Sequence, residues 1–153
     1  MTSPPETDRE YAYFQAVGDD NPDIITKKLG IEPSESWKLG ETSERRGQII
    51  TRRSSRWKLD SGLNDQSLLN DHLSALLEQL QPKSQELRNI REKFKTQLVC
   101  VGYYYQSFTF ELDFETQHKA TELGLSFHFD TYSFGDYHEE IMELREQIKS
   151  TQH

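Results

Sequence analysis

Residues 97–105 read Gln-Leu-Val-Cys-Val-Gly-Tyr-Tyr-Tyr. β-Branched and aromatic side chains fill this stretch, which predicts a central strand. The next segment alternates strictly: Phe108, Phe110, Leu112 and Phe114 are separated by Thr109, Glu111 and Asp113. That period of two predicts a strand with one dry and one wet face. A short turn near Gln106-Ser107 would join the two runs as an antiparallel hairpin.

Working outward, Tyr11 to Val17 also alternates, with Tyr13 and Val17 on one side and Ala12, Phe14 and Ala16 on the other. Gly18 to Pro22 breaks that strand. Asn21 is placed to cap a helix with Pro22 at its first position, and Asp23 suits the positive end of the helix dipole. Ile25 and Leu29 share a face, and Gly30 follows where a left-handed residue ends a helix. Residues 31–48 look irregular, punctuated by Pro33, Gly40 and Gly47, with Trp37 as the only large anchor. Ile49 to Leu59 is read as a second strand, closed by Asp60-Ser61-Gly62. Leu69, Leu73, Leu76 and Leu80 form the strongest helical stripe in the chain, ended by Pro82. Ser84 would cap a shorter helix carrying Leu87, Ile90 and Phe94. A short helix from Gln117 to Leu123 stops at Gly124, and Leu125, Phe127 and Phe129 alternate with Ser126, His128 and Asp130 as another strand. Asp136 and Glu139 make a capping-box-like start to a last helix that turns Ile141, Leu144 and Ile148 inward.

The 153 residues fit one domain, expected over 11–153 behind a polar, disordered leader at 1–10. A chain this long hides roughly 68–70% of its unfolded surface. Only 33% of residues are hydrophobic, so the core leans on its aromatics (Phe 8, Tyr 7, Trp 2). No apolar run is long enough to span a bilayer, and no apolar stretch follows a basic start, which argues against a secretory signal. The single cysteine, Cys100, has no partner for an internal disulfide. A cytoplasmic protein is expected. Net charge is -8, which disfavours a general nucleic-acid coat.

A weak repeat runs through the chain. Strand, helix, Leu29-Gly30-Ile31 and a later Trp37 echo strand, helix, Leu123-Gly124-Leu125 and a later Tyr132. The expected fold is therefore α+β: a single-domain sandwich with a mainly antiparallel sheet of about five strands. Its helices would pack on one face, with a ferredoxin-like pseudo-repeat. The set formed by Tyr11 to Val17, Gly18-Asp19-Asp20, Leu29-Gly30, Trp37-Lys38-Leu39-Gly40, Ser54-Ser55-Arg56-Trp57, Leu123-Gly124-Leu125 and Asp130-Thr131-Tyr132 resembles a bacterial domain-of-unknown-function family, the one numbered 4279. The resemblance covers most of residues 11–135, and the tryptophan after two serines is its best marker. It implies a small cytosolic α+β domain and brings no catalytic residue and no cofactor. Families of this size and acidity sometimes supply immunity proteins, which neutralise a toxin by binding it.

Residues 45–59 hold Arg45, Arg46, Arg52, Arg53, Arg56 and Lys58 with no acidic residue, leaving 12 basic against 26 acidic elsewhere. Arg53, Ser55 and Trp57, with Trp37, are candidates for an anion site, since guanidinium forks grip phosphate and carboxylate. The simpler reading is a charged edge strand. The strand period separates Arg53, Ser55 and Trp57 from Arg52, Ser54 and Arg56, so one pocket cannot use them all.

Asp19 and Asp20 are explained by turn chemistry, and no His or Cys spacing supports a metal, so neither metal nor cofactor is expected. Nor does any phosphate-loop, dinucleotide or nucleophile-elbow motif occur. Residues 106–153 hold 10 acidic and three basic side chains, a balance that favours encounter with a basic partner. The expected partner-binding residues are Glu111 and Asp113 on the wet strand face, Tyr103 and Tyr105, and His128 with Asp130 on a shared face. The function expected is a non-catalytic inhibitor that binds a cognate, basic toxin. The alternative is a small-molecule or phosphate-binding module built on residues 52–57; a third reading is RNA binding through residues 45–59, whereas base stacking on the aromatic strands is disfavoured by Thr109, Glu111 and Asp113.

Overall fold

The computed structural model describes residues 7–105, 109–134 and 137–151, with backbone alone for 137–141. In chain order the elements are β1 (Arg9–Gly18), α1 (Asp23–Leu29), β2 (Glu35–Trp37), β3 (Thr42–Arg45), β4 (Gln48–Thr51), β5 (Ser55–Asp60), α2 (Leu69–Leu80), α3 (Ser84–Ile90), β6 (Phe94–Tyr104), α4 (Phe114–Glu122), β7 (Ser126–Ser133) and α5 (Tyr137–Thr151). Five strands form one sheet in the order β2-β5-β1-β6-β7, and β3 and β4 form a separate hairpin. Three of the four pairings in the large sheet are antiparallel; β6 and β7 run parallel. The expected α+β architecture, a mainly antiparallel sheet with packed helices, is what the chain adopts.

β1 is central because alternation gives it one small and aromatic face that tolerates complete burial. Ala12, Phe14 and Ala16 face Cys100, Leu98 and Thr96 of β6 across the pair. The leucine stripe of α2 lies over them, with Leu73, Leu76 and Leu80 fully buried. Ile25 and Leu29 of α1, Leu87 and Ile90 of α3, and Ala120 of α4 complete the same core. Trp57 of β5 is its largest buried side chain; it meets the Phe14 ring edge-on at 5.8 Å and 72°. Its indole N–H donates to Thr26 Oγ1 at 2.9 Å, which meets the demand that a buried donor find an acceptor. β1 starts at Arg9, so residues 9 and 10 of the expected leader belong to the sheet, and residues 1–6 lie outside the described part.

Several local expectations are corrected. Ile49 to Leu59 is not one strand: β4 ends at Thr51, β5 begins at Ser55, and the two belong to different sheets. The cause is a two-residue turn at Arg46-Gly47, with φ of 52° and 78°, which folds β4 back on β3. Two consecutive positive φ values match the twist of flanking strands. These strands escape a hydrophobic pattern because β3 is exposed throughout. The hairpin expected after residue 105 does not form, although its turn and Phe108 lie outside the described residues. Residues 109–113 are not a strand, Asp113 accepts from Thr116 N at 2.8 Å, and Phe114 opens α4, left 78% exposed. The alternation there reflects Phe110 and Leu112 packing against the core as an extended strap. α4 is then the crossover that returns β7 parallel to β6, as parallel pairing requires.

Phe94 starts β6 rather than extending α3. The two halves share a left-handed glycine, with φ of 65° at Gly30 and 70° at Gly124, yet β5 pairs antiparallel with β1 while β7 pairs parallel with β6. In α5, Leu144 and Ile148 are each 56% exposed rather than turned inward. The Asp136 cap lies outside the described residues, as do the Glu139 and Ile141 side chains.

Candidate recognition surface

The core helices lie against the sheet face of Ala12, Phe14 and Ala16. The alternate residues make an outer face: Arg9, Tyr11, Tyr13 and Gln15 of β1, Val99, Val101 and Tyr103 of β6, His128, Asp130 and Tyr132 of β7, Arg56 and Lys58 of β5, and Trp37 of β2. Its middle is a row of near-parallel rings. Tyr132 and Tyr103 are 5.1 Å apart at 11°, Tyr103 and Tyr11 are 6.4 Å apart, and Tyr11 and Tyr13 are 6.5 Å apart. Phe134 extends the row beside Tyr103 at 5.9 Å and carries Tyr105 at 5.5 Å. Cations close the edges: Arg9 sits 4.4 Å from the Tyr103 ring centre and Lys58 4.3 Å from that of Tyr13. Such contacts are each worth about 0.5–1 kcal/mol at exposed sites.

One carboxylate sits among these rings. Asp130 is half-buried, stands opposite Val101, and forms no ion pair with any described residue. Its hydrogen bond to the Tyr132 hydroxyl, and then its charge, raise that phenol above the usual tyrosine range. Tyr11 is pushed up to about 12, first by burial and then by its hydrogen bond to Tyr103, with Asp130 adding a smaller push. Tyr11 and Tyr132 therefore stay neutral donors throughout the physiological range.

Of the residues expected to bind a partner, Tyr103, His128 and Asp130 share this face, with Tyr105 at its margin. Glu111 and Asp113 lie elsewhere. Glu111 lines a groove of about 280 Å³ with Glu10, Leu68 and Phe110, and Asp113 is occupied as the cap of α4. Hydrogen bonds from the Thr116 side chain first, and then from its backbone N–H, hold the Asp113 carboxyl below its ordinary range. In the segment expected to bind an anion, Trp57 and Ser55 are fully buried, and Ser55 Oγ accepts from Leu39 N at 2.8 Å. Arg53 is exposed in the turn between β4 and β5, whereas Trp37 lies on the outer face under Arg52. Tyr11, Tyr13, Tyr132 and Arg9 were missed. For Arg9, Tyr11 and Tyr13 the signal was the alternation of β1, which puts them on the face that Phe14 avoids; for Tyr132 it was the period of two that places it with His128 and Asp130 on β7.

Two other chemical groups are spent on structure. Cys100 is buried in β6, and burial alone pushes its thiol up to about 12, so it supplies no thiolate near neutrality. Ser61 Oγ lies 2.5 Å from His72 Nδ1, yet His72, on the inner side of α2, is fully buried and offers a substrate no approach. Among the described residues no group of three or more His, Cys, Asp or Glu could hold a metal ion, and no helix is long and apolar enough to cross a membrane.

The architecture defines a small α+β domain with one helix-covered sheet face and one outer face of stacked tyrosines. The chain belongs to the family described as Domain of unknown function (DUF4279), which it matches over residues 8–134, a span that ends just after β7. No curated protein and no solved structure matches it.

Proposed function

We propose that this chain is a non-catalytic binding protein that takes a basic protein partner on its outer face, in the manner of an immunity protein that neutralises a toxin. The observation that carries this reading is Asp130, a half-buried carboxylate without an ion pair among the described residues, set between Tyr132 and the Tyr11–Tyr13 row. An arginine or lysine entering there would gain a charge partner and aromatic walls at once. Tyrosine is suited to this role because it buries large area at small entropy cost and keeps a hydroxyl for orientation. Rings that face one another present edges and hydroxyls, not open faces. Base stacking on single-stranded RNA, which needs open ring faces, is the weaker reading. The net charge of -8 would speed encounter with a basic partner.

The test is capture from a lysate of the native host with tagged wild-type chain and Asp130→Asn. A basic protein retained by the wild type, released by raised salt, and bound at least tenfold more weakly by Asp130→Asn is the expected outcome. Equal retention by both chains would overturn the assignment to Asp130.

A further inference from the structure

Next to the outer face, the β3–β4 hairpin and the edge of the sheet enclose a cleft of about 420 Å³, lined by Trp37, Arg45, Arg52 and Arg56 together with Ser43, Glu35 and Glu44. That volume lies within the usual span of small-ligand sites. Arg52 and Arg56 place their guanidinium carbons 3.8 Å and 5.0 Å from the centre of one ring, the indole of Trp37. Neither these two nor Arg45 forms an ion pair with any described residue. Arg56 Nε is buried and meets no hydrogen-bond acceptor. A buried cationic donor left without an acceptor is unfavourable unless something supplies one.

The backbone holds these groups in place before any ligand arrives. Arg52 N donates to Glu41 O at 2.9 Å while Arg52 O accepts from Gly40 N at 2.9 Å, which pins the turn at both of its polar groups. Arg56 is fixed in β5 opposite Trp37 of β2 and Val17 of β1. Arg56 also bonds the Tyr13 side chain, and the N–H groups of the two guanidiniums that remain beside the indole can match two oxygens of one oxyanion.

We infer that this cleft is a binding site for the oxyanion group of a small ligand, a phosphate or a carboxylate, held by Arg45, Arg52 and Arg56 beside Trp37. The inference stands apart from the Asp130 reading and survives its failure. Glu35 and Glu44 hold the lining to one net positive charge, which suits a small anion held within the cleft.

Trp57 is buried, so Trp37 is the indole whose emission a ligand can reach. The experiment titrates the full chain with pyrophosphate or with citrate, at ionic strength matched with sodium chloride, and follows tryptophan emission. A saturable change is expected with at least one of the two. Arg52→Gln and the exposed hairpin variant Arg45→Gln should each weaken it tenfold or more, while Arg53→Gln and Asp130→Asn leave it unchanged. Preference for pyrophosphate assigns a phosphate ligand, and preference for citrate assigns a carboxylate. A linear response with both probes, or equal weakening by Arg53→Gln, would overturn the proposal by reducing it to general charge screening.

Discussion

Replacing Trp57 with alanine should lower the unfolding free energy by about 3–5 kcal/mol, the range for deleting a large aromatic from a packed interior. For a domain of this size that corresponds to a fall in Tm of about 6–20 °C. The loss has two parts. The indole fills the space between β5, Phe14 and α1, and its N–H satisfies Thr26 Oγ1 at 2.9 Å. Thr26→Val isolates the second part, since it leaves the N–H buried without an acceptor, and should cost about 1–3 kcal/mol. Urea unfolding of the two variants measures both. A Trp57→Ala loss under about 1 kcal/mol would mean that the site collapses around the void and that the core is not organised on this ring.

The second large effect is expected at Glu10. Glu10 Oε2 accepts from Leu69 N at 2.9 Å, at the first residue of α2, and Oε1 accepts from the Tyr104 hydroxyl at 2.9 Å. α2 has no capping side chain of its own, since Leu68 holds the cap position. The helix that covers the core is thus capped from β1, across 59 residues of sequence. Removing the carboxylate strands a helix N–H and takes one acceptor from the Tyr104 phenol, so Glu10→Ala should cost about 2–4 kcal/mol, with hydrogen bonds to charged groups worth about 1.5–3 each before solvent screening. Glu10→Gln keeps an acceptor for only one of the two donors and should lose less. Chemical denaturation, together with faster amide exchange in the first turn of α2, is the measurement. Equal stability of wild type and Glu10→Ala would show that water replaces the cap without loss.

Elements with a strong period and a buried face were legible from the residues. The stripe from Leu69 to Leu80 and the alternation of β1 are examples, because burial on one side leaves a trace in composition. Elements held by backbone geometry alone were not. β3 and β4 depend on a positive φ at Arg46, a residue type that carries no such signal, and β2 is three residues long. The strap before α4 shows the opposite error. Phe110 and Leu112 alternate as a strand would, but they rest on the core without a neighbour strand, and Asp113 uses its carboxylate to start a helix. The cap was present in the sequence as Asp113 followed by Thr116, and the stronger period of two hid it.

The same limit governed the candidate sites. His128 and Asp130 share a face by their spacing alone, but whether Tyr103 joins them depends on register, which only the pairing Val101↔Asp130 and Tyr103↔Tyr132 supplies. The arginine run was visible as charge. Its division was also visible, since Ser55 and Trp57 alternate with Arg56, but the sequence could not show that the latter side meets Trp37 while the former is consumed by the core.

The outer face, and not the helix layer, is expected to meet the partner. Hydroxyl-radical footprinting of the complex, read by mass spectrometry, tests it most directly. The account predicts loss of labelling at Tyr13, Tyr103 and Tyr132 on binding, with Leu68 and Phe114 on the helix layer labelled as in the free chain. Protection of Leu68 and Phe114 with the tyrosines unchanged would contradict it.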